Sequence, residues 1–263
     1  MLPEIYAHTL LDNRRSLIGW SVGTAAVGLM YAGFYPQVST GGMAEAVSNY
    51  PEAMREALRL NDMNSAAGYL GSSVFGLLLP LLAMFFGVSF GARAIAGDEE
   101  SGYLDLLLAH PVSRTGLAVQ RFAALVTGAM AIAVAVLLGM VAIRSSAELD
   151  SISIGEFAAQ SVNLALLAIV FGALAIGIGA ATGRRGPVLA ATASIGVLTY
   201  GANSLAGVIG ADWLKYFSPF HYYIGGEPLR NGMQWADIAV LVAISLALVV
   251  AGFTLFNRRD LSN

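Results

Sequence analysis

The sequence predicts an all-α membrane protein with six transmembrane helices. Of 263 residues, 57% are hydrophobic and only 12% are charged, and mean hydropathy is +0.69, well above that of an ordinary globular domain. Six charge-free apolar stretches recur along the whole chain, and about 20 such residues in a helix cross a hydrocarbon core of about 30 Å. The two-residue alternation of a membrane barrel is missing, and a helix satisfies its own backbone in lipid. The chain therefore reads as a single transmembrane domain, 1–263.

The predicted spans are 17–35, 72–92, 122–143, 160–182, 187–209 and 238–256. Before the first, Leu2, Tyr6 and Leu10 recur at helical spacing, with Glu4, Asp12, Arg14 and Arg15 as polar positions. This pattern predicts a short amphipathic helix in the interface plane. The first span is longer than a signal-peptide core and five more follow, so it reads as a signal anchor. Residues 36–70 form a long loop. Within it, Pro51 at a first helical position and Glu52 in an acidic first turn predict a short surface helix.

Arginine and lysine set the orientation. With the N-terminus in the cytoplasm, Arg14, Arg15, Arg93, Arg114, Arg121, Arg184, Arg185, Arg258 and Arg259 lie inside. Arg55, Arg59, Arg144, Lys215 and Arg230 lie outside. That bias predicts a multi-pass protein of the cell (plasma or inner) membrane with both termini cytoplasmic. A net charge of −3 offers no basic surface for nucleic acid; the lipid bilayer is the first partner expected.

The spans hold few polar groups. Asn163 and Asn203 are the clearest; each fits either a bond to a neighbouring helix or a contact with a transported molecule. No Asp, Glu, Lys or Arg lies mid-span, which argues against an ion-coupled pump. Gly19/Gly23, Gly87/Gly91 and Gly179/Gly183 are small-residue pairs that permit close helix approach. Pro80 predicts a kink, and Phe85 and Phe86 beyond it can line an apolar cavity. Between spans five and six lies an aromatic-rich segment, with Trp213, Tyr216, Phe217, Phe220, Tyr222, Tyr223 and Trp235. It reads as an interfacial or re-entrant cap that Gly225-Gly226 and Pro228 break into two pieces. Tyr222 and Tyr223 are its candidate substrate lip.

Catalytic motifs are scarce. Cysteine is absent and the three histidines lie in separate segments, so no metal site is expected. A zinc-binding His-Glu-x-x-His is missing. A phosphate-binding loop needs Gly-Lys before Ser or Thr, and Lys215, the single lysine, sits in Trp-Leu-Lys-Tyr. No enzyme activity is expected, and any ATP-driven work must be powered by another subunit.

The charged block 93–121 stands apart from this apolar background. Asp98, Glu99 and Glu100 follow Gly97 and predict the acidic first turn of a helix, with Asp98 as N-cap. Tyr103, Leu104, Leu107 and Leu108 then share a face, His110-Pro111 ends the helix, and Ser113 caps the next one.

On these residues the chain resembles the ABC-2-type, export-class ABC transporter permeases. Their loop between spans two and three reads approximately E-x-G-T-L-x-x-L-L-x-x-P-v-S-R. Here Glu100, Gly102, Leu104, Leu107, Leu108, Pro111, Val112, Ser113 and Arg114 stand in that register, with Tyr103 in place of Thr. Phe256-Asn257-Arg258-Arg259-Asp260-Leu261 resembles the family's F-x-x-R-D-L ending. The resemblance implies a non-catalytic permease subunit that pairs as a homodimer and docks two copies of a cytoplasmic ABC ATPase. ATP and Mg would be held by that partner and no cofactor by this chain. The helix from Asp98 to His110 would be the coupling helix, with Ser113 and Arg114 at its exit. The cargo expected is a hydrophobic or amphipathic solute, exported by alternating access. The alternative is a force-transducing subunit that acts on an extracytoplasmic partner, as in metalloenzyme maturation, and moves no solute.

Overall fold

The computed structural model describes residues 2–40, 42, 47, 49–104 and 113–258. Among these, every regular element is helical. Six helices are long and apolar enough to cross a membrane. They are α1 (Leu2–Ala32), α2 (Ala66–Glu100), α3 (Arg114–Ile143), α4 (Ile154–Thr182), α5 (Arg185–Leu205) and α6 (Trp235–Arg258). Each predicted span overlaps one of them, the first ending at Ala32 rather than at 35. The fifth stops short of 209, at Leu205, and turns continue to Gly210 at φ +67°.

The helix ends follow from local chemistry. Ser153 and Glu156 form a reciprocal capping box at the start of α4, and Gly183 ends it in the left-handed region at φ 65°. Ser113 caps α3 as expected, its hydroxyl accepting from the Gly116 N–H at 3.0 Å. One expectation gives way. Residues 2–15 are no separate helix but the opening turns of α1, which runs unbroken to Ala32. No Gly or Pro interrupts 4–18, and Thr9 and Asn13 bond back to carbonyls one turn earlier. The backbone is irregular before Pro80. The stretch before it, Leu70–Leu78, is wound as π-helix. Pro80 has no N–H for the Gly76 carbonyl, and that carbonyl accepts instead from the Tyr200 hydroxyl of α5 at 3.2 Å.

Helix α4 is the central post, packed against α2, α3, α5 and α6, while α1 packs along α3. Without a hydrophobic driving force in lipid, small residues and close packing hold helices together. Gly87 and Gly91 of α2 lie against Ala168 and Gly172 of α4, and Gly252 of α6 lies against Gly177 of α4. Of the three glycine pairs in the sequence, Gly87/Gly91 makes the close crossing. Gly19 and Gly23 face open space, and Gly183 serves as the end of α4. The outward surfaces of α1, α5 and α6 carry exposed Ile18, Val22, Val197, Leu198 and Val250, the composition of a lipid-facing wall.

Short helices close the end opposite the chain termini. Glu52–Ala57 follows Pro51, which takes the N-cap position rather than the first helical one. The aromatic segment is broken into three pieces, not two: Asp212–Phe217, Pro219–Ile224 and Pro228–Asn231. The extra break is at Ser218-Pro219, where the Ser218 hydroxyl accepts from the Phe220 N–H at 3.2 Å.

Candidate functional site

At the end carrying the termini, α2 does not stop with its hydrocarbon run. It continues through π turns at Arg93–Gly97 to Asp98–Glu100 and ends at Gly102, whose φ of +72° only glycine adopts freely. Asp98 is therefore not an N-cap. Its φ of −70° and ψ of −35° are helical, whereas a cap is extended. The acids sit in the last turn, where the helix dipole disfavours negative charge. Fixed donors offset this. The Asp98 carboxylate pairs with Arg121 of α3, and Arg121 Nη1 also donates to Thr9 Oγ1 of α1 at 3.0 Å. Glu100 Oε1 accepts the Arg185 N–H at 2.9 Å. That N–H opens α5, where Arg184 gives no side-chain cap and the first amides have no partner within the helix.

A second joint ties α3 to α6. Arg114 Nη1 donates to the Phe256 carbonyl at 3.1 Å, and its guanidinium lies 5.6 Å from the centre of the buried Phe256 ring. One residue on, Asn257 Nδ2 donates to Thr115 Oγ1 at 3.0 Å. The Arg of the loop motif and the Phe of the C-terminal motif thus meet in space. Between these joints, Tyr103 stands 47% exposed while Leu104 is 1% exposed, packed into the chain's own core. Leu104 is not presented on the outward face with Tyr103. Leu107, Leu108 and Pro111, with Arg259, Asp260 and Leu261, lie outside the described residues.

A family model described as "ABC-2 family transporter protein" matches residues 4–261. The chain belongs to this family. It is a membrane permease of the ABC transporter class, a kind of subunit that is typically non-catalytic and generally pairs with an ABC ATPase. No curated protein matches the chain. The sequence does contain a Gly-x-Ser-x-Gly spacing, Gly87-Val88-Ser89-Phe90-Gly91. In this ABC-2 permease it lies inside a continuous helix, not at the strand-to-helix turn that exposes a nucleophile, and both glycines serve the crossing with α4.

The opposite end of the permease holds two adjoining cavities of about 250 and 380 Å³. Both are bordered by Arg59, Ser72, Asn203 and Ser204. Arg59 comes from the loop after α1, adopts φ 56° and ψ 36°, and reaches between α2 and α5. Its Nη1 donates to the Ile224 carbonyl at 3.2 Å. Burial pulls its pKa down, opposed by the nearby Glu227 carboxylate and the Tyr200 and Tyr223 phenols. Burial also drives the Tyr223 hydroxyl far up. Gln160 of α4 lies close enough to hold that proton more loosely, but neither group forms a well-made hydrogen bond.

The candidate path residues therefore divide. Asn203 and Tyr223 border a cavity. Asn163 is 1% exposed and donates to the Tyr223 carbonyl at 3.0 Å, the neighbour-bonding reading. Phe85 is 50% exposed on the outer surface, whereas Phe86 is 1% exposed against Trp20 and Phe90. The two do not line one cavity. The Tyr222 hydroxyl donates to the Tyr216 carbonyl at 3.0 Å, within the cap. Arg59 was missed because it lies outside every apolar run. Its one signal is a cation set between Leu58 and Leu60.

Proposed function

We propose that this permease receives force from a cytoplasmic ABC ATPase through the segment beginning at Gly102 and Tyr103, and uses it to export an amphipathic solute. In this reading the end with both termini faces the cytoplasm of the cell membrane, two copies of the chain pair, and each docks one ATPase that holds ATP and Mg. The observation that carries the reading is the bracing of the segment's two roots. Its entry, at Asp98 and Glu100, is tied to α3 and α5, and its exit, at Arg114, is tied to α6. A push on such a segment moves several spans together, which is what a bistable element driven from a remote site requires. Asp98 and Glu100 hold the platform from within, and exposed Tyr103 is the docking contact.

Affinity purification of the full chain from its native membrane tests this. The expected result is a co-purifying subunit with a phosphate-binding loop and ATP hydrolysis by the complex, both lost in Tyr103→Asp and kept in Tyr103→Phe. A chain that purifies without any such subunit, or a Tyr103→Asp variant that retains it, overturns the proposal.

A further inference from the structure

We propose that the cavity around Arg59 binds one amphipathic anion, with a phosphate or carboxylate head on the guanidinium and a hydrocarbon part along Tyr31, Leu77, Leu78 and Phe220. Arg59 is the one charged side chain bordering the smaller cavity among the described residues. It makes no ion pair there, and its single hydrogen bond goes to a backbone carbonyl. Arg59 is half-buried and a guanidinium carries five donors, so most of its hydrogen-bonding capacity is open to a ligand.

The neighbouring wall repeats the pattern. Gln160, which borders the larger cavity, and the Tyr223 hydroxyl, which borders the smaller, are both 0% exposed and lie side by side without a well-made hydrogen bond. Each buried polar group left unmet costs about 1–3 kcal/mol. The Arg59 guanidinium and the Tyr223 phenol both border the smaller cavity and can both donate, a pair that suits an acceptor-rich head and not a cation. The carboxylates nearby are mostly committed. Asp62 and Glu227 pair with Arg230, and Asp212 pairs with Lys215. Glu56 lies against Gly207 and borders only the larger cavity, so it leaves the smaller one to the anion. A further apolar space of about 450 Å³ shares Tyr31 and Ser73 with the smaller cavity and continues to Phe34 and Val38, room for a chain of methylenes.

That the bound molecule is cargo rests on the permease function proposed above; the binding does not. The test uses the full chain in phosphatidylcholine nanodiscs, with decyl phosphate, decanoate, decyltrimethylammonium and inorganic phosphate as probes, read by native mass spectrometry and equilibrium dialysis. Decyl phosphate or decanoate should saturate at one per chain, undisturbed by decyltrimethylammonium. Arg59→Gln should weaken binding about tenfold or more, the loss expected for one charge-assisted hydrogen bond. Leu78→Trp, which fills the apolar wall, should weaken it too. If Arg59→Gln does not fold, Tyr223→Phe takes its place, with weaker binding expected. Inorganic phosphate that competes as well as the alkyl phosphate overturns the apolar half. Absence of saturable binding, or parent-like binding in the folded variants, overturns the whole. A chain that keeps its ATPase but binds no anion fails here alone, and one that binds the anion but recruits no ATPase fails the permease proposal alone.

Discussion

Gly87→Ala probes the crossing that fixes α2 on the central post. A Cβ at this position would sit 2.3 Å from the Ala168 carbonyl oxygen and 2.9 Å from the Gly172 nitrogen. Ordinary contact lies near 3.5 Å, so the helices must part by about 1 Å. The obstacle is backbone, which cannot rotate away, and α4 is itself held by α3, α5 and α6. Overpacking costs about 1–3 kcal/mol, and a backbone obstacle on a fully packed helix puts this variant at the upper end, about 3 kcal/mol. Gly19→Ala is the control, because nothing lies within 4 Å of its Cβ. It should be neutral or stabilising by up to about 1 kcal/mol from helix propensity. Thermal unfolding of the full chain in one detergent, followed by loss of the monodisperse peak, should rank Gly87→Ala several degrees below Gly19→Ala. Equal midpoints would refute the reasoning that this contact sets the spacing of α2 and α4.

Three further outcomes are expected. Asp98→Asn strands a mostly buried Arg121 and should destabilise by about 3 kcal/mol, whereas Asp98→Leu with Arg121→Met should lose less; denaturant titration of both variants decides it. Arg114→Gln removes the tie to Phe256, so hydrogen exchange over residues 250–258 should quicken while the global midpoint moves little. Unchanged protection there would show that the joint holds nothing. His221 sits outside the spans, and burial holds its imidazole below the ordinary value. The native chain then binds this proton less readily than the unfolded one, so stability present above about pH 6.5 is lost as pH falls from there through the lower folded value. His221→Gln should flatten that part of the melting-against-pH curve.

What the sequence made legible was local. Charge-free runs marked the six spans because lipid penalises every buried charge in the same way, and Ser113 announced a cap through its own hydroxyl. Asp98 misled because its partners are remote. The acids look like a helix start in isolation, but Arg121 and the Arg185 amide make them tolerable at a helix end. Gly87/Gly91 looked no different from Gly19/Gly23, since a glycine pair does not say which neighbour it meets. The most consequential omission, Arg59, belongs to a loop that folds back between α2 and α5. Only three-dimensional closure turns a loop cation into the head of a cavity.

The wide turns at Leu70–Leu78 have a consequence of their own. A π turn holds one residue more than an α turn, so this stretch stores surplus chain between the clamped crossing at Gly87 and the mouth of the bundle. Drawing that surplus out, by rewinding to 3.6 residues per turn, would swing each side chain above it by about 100° around the axis for each residue released. Ser72, Ser73, Leu77 and Leu78 all stand on this stretch and face the cavity. A small axial pull from the terminal end would thus arrive at the far end as rotation, exchanging the hydrocarbon wall for another set of atoms while the backbone hardly travels.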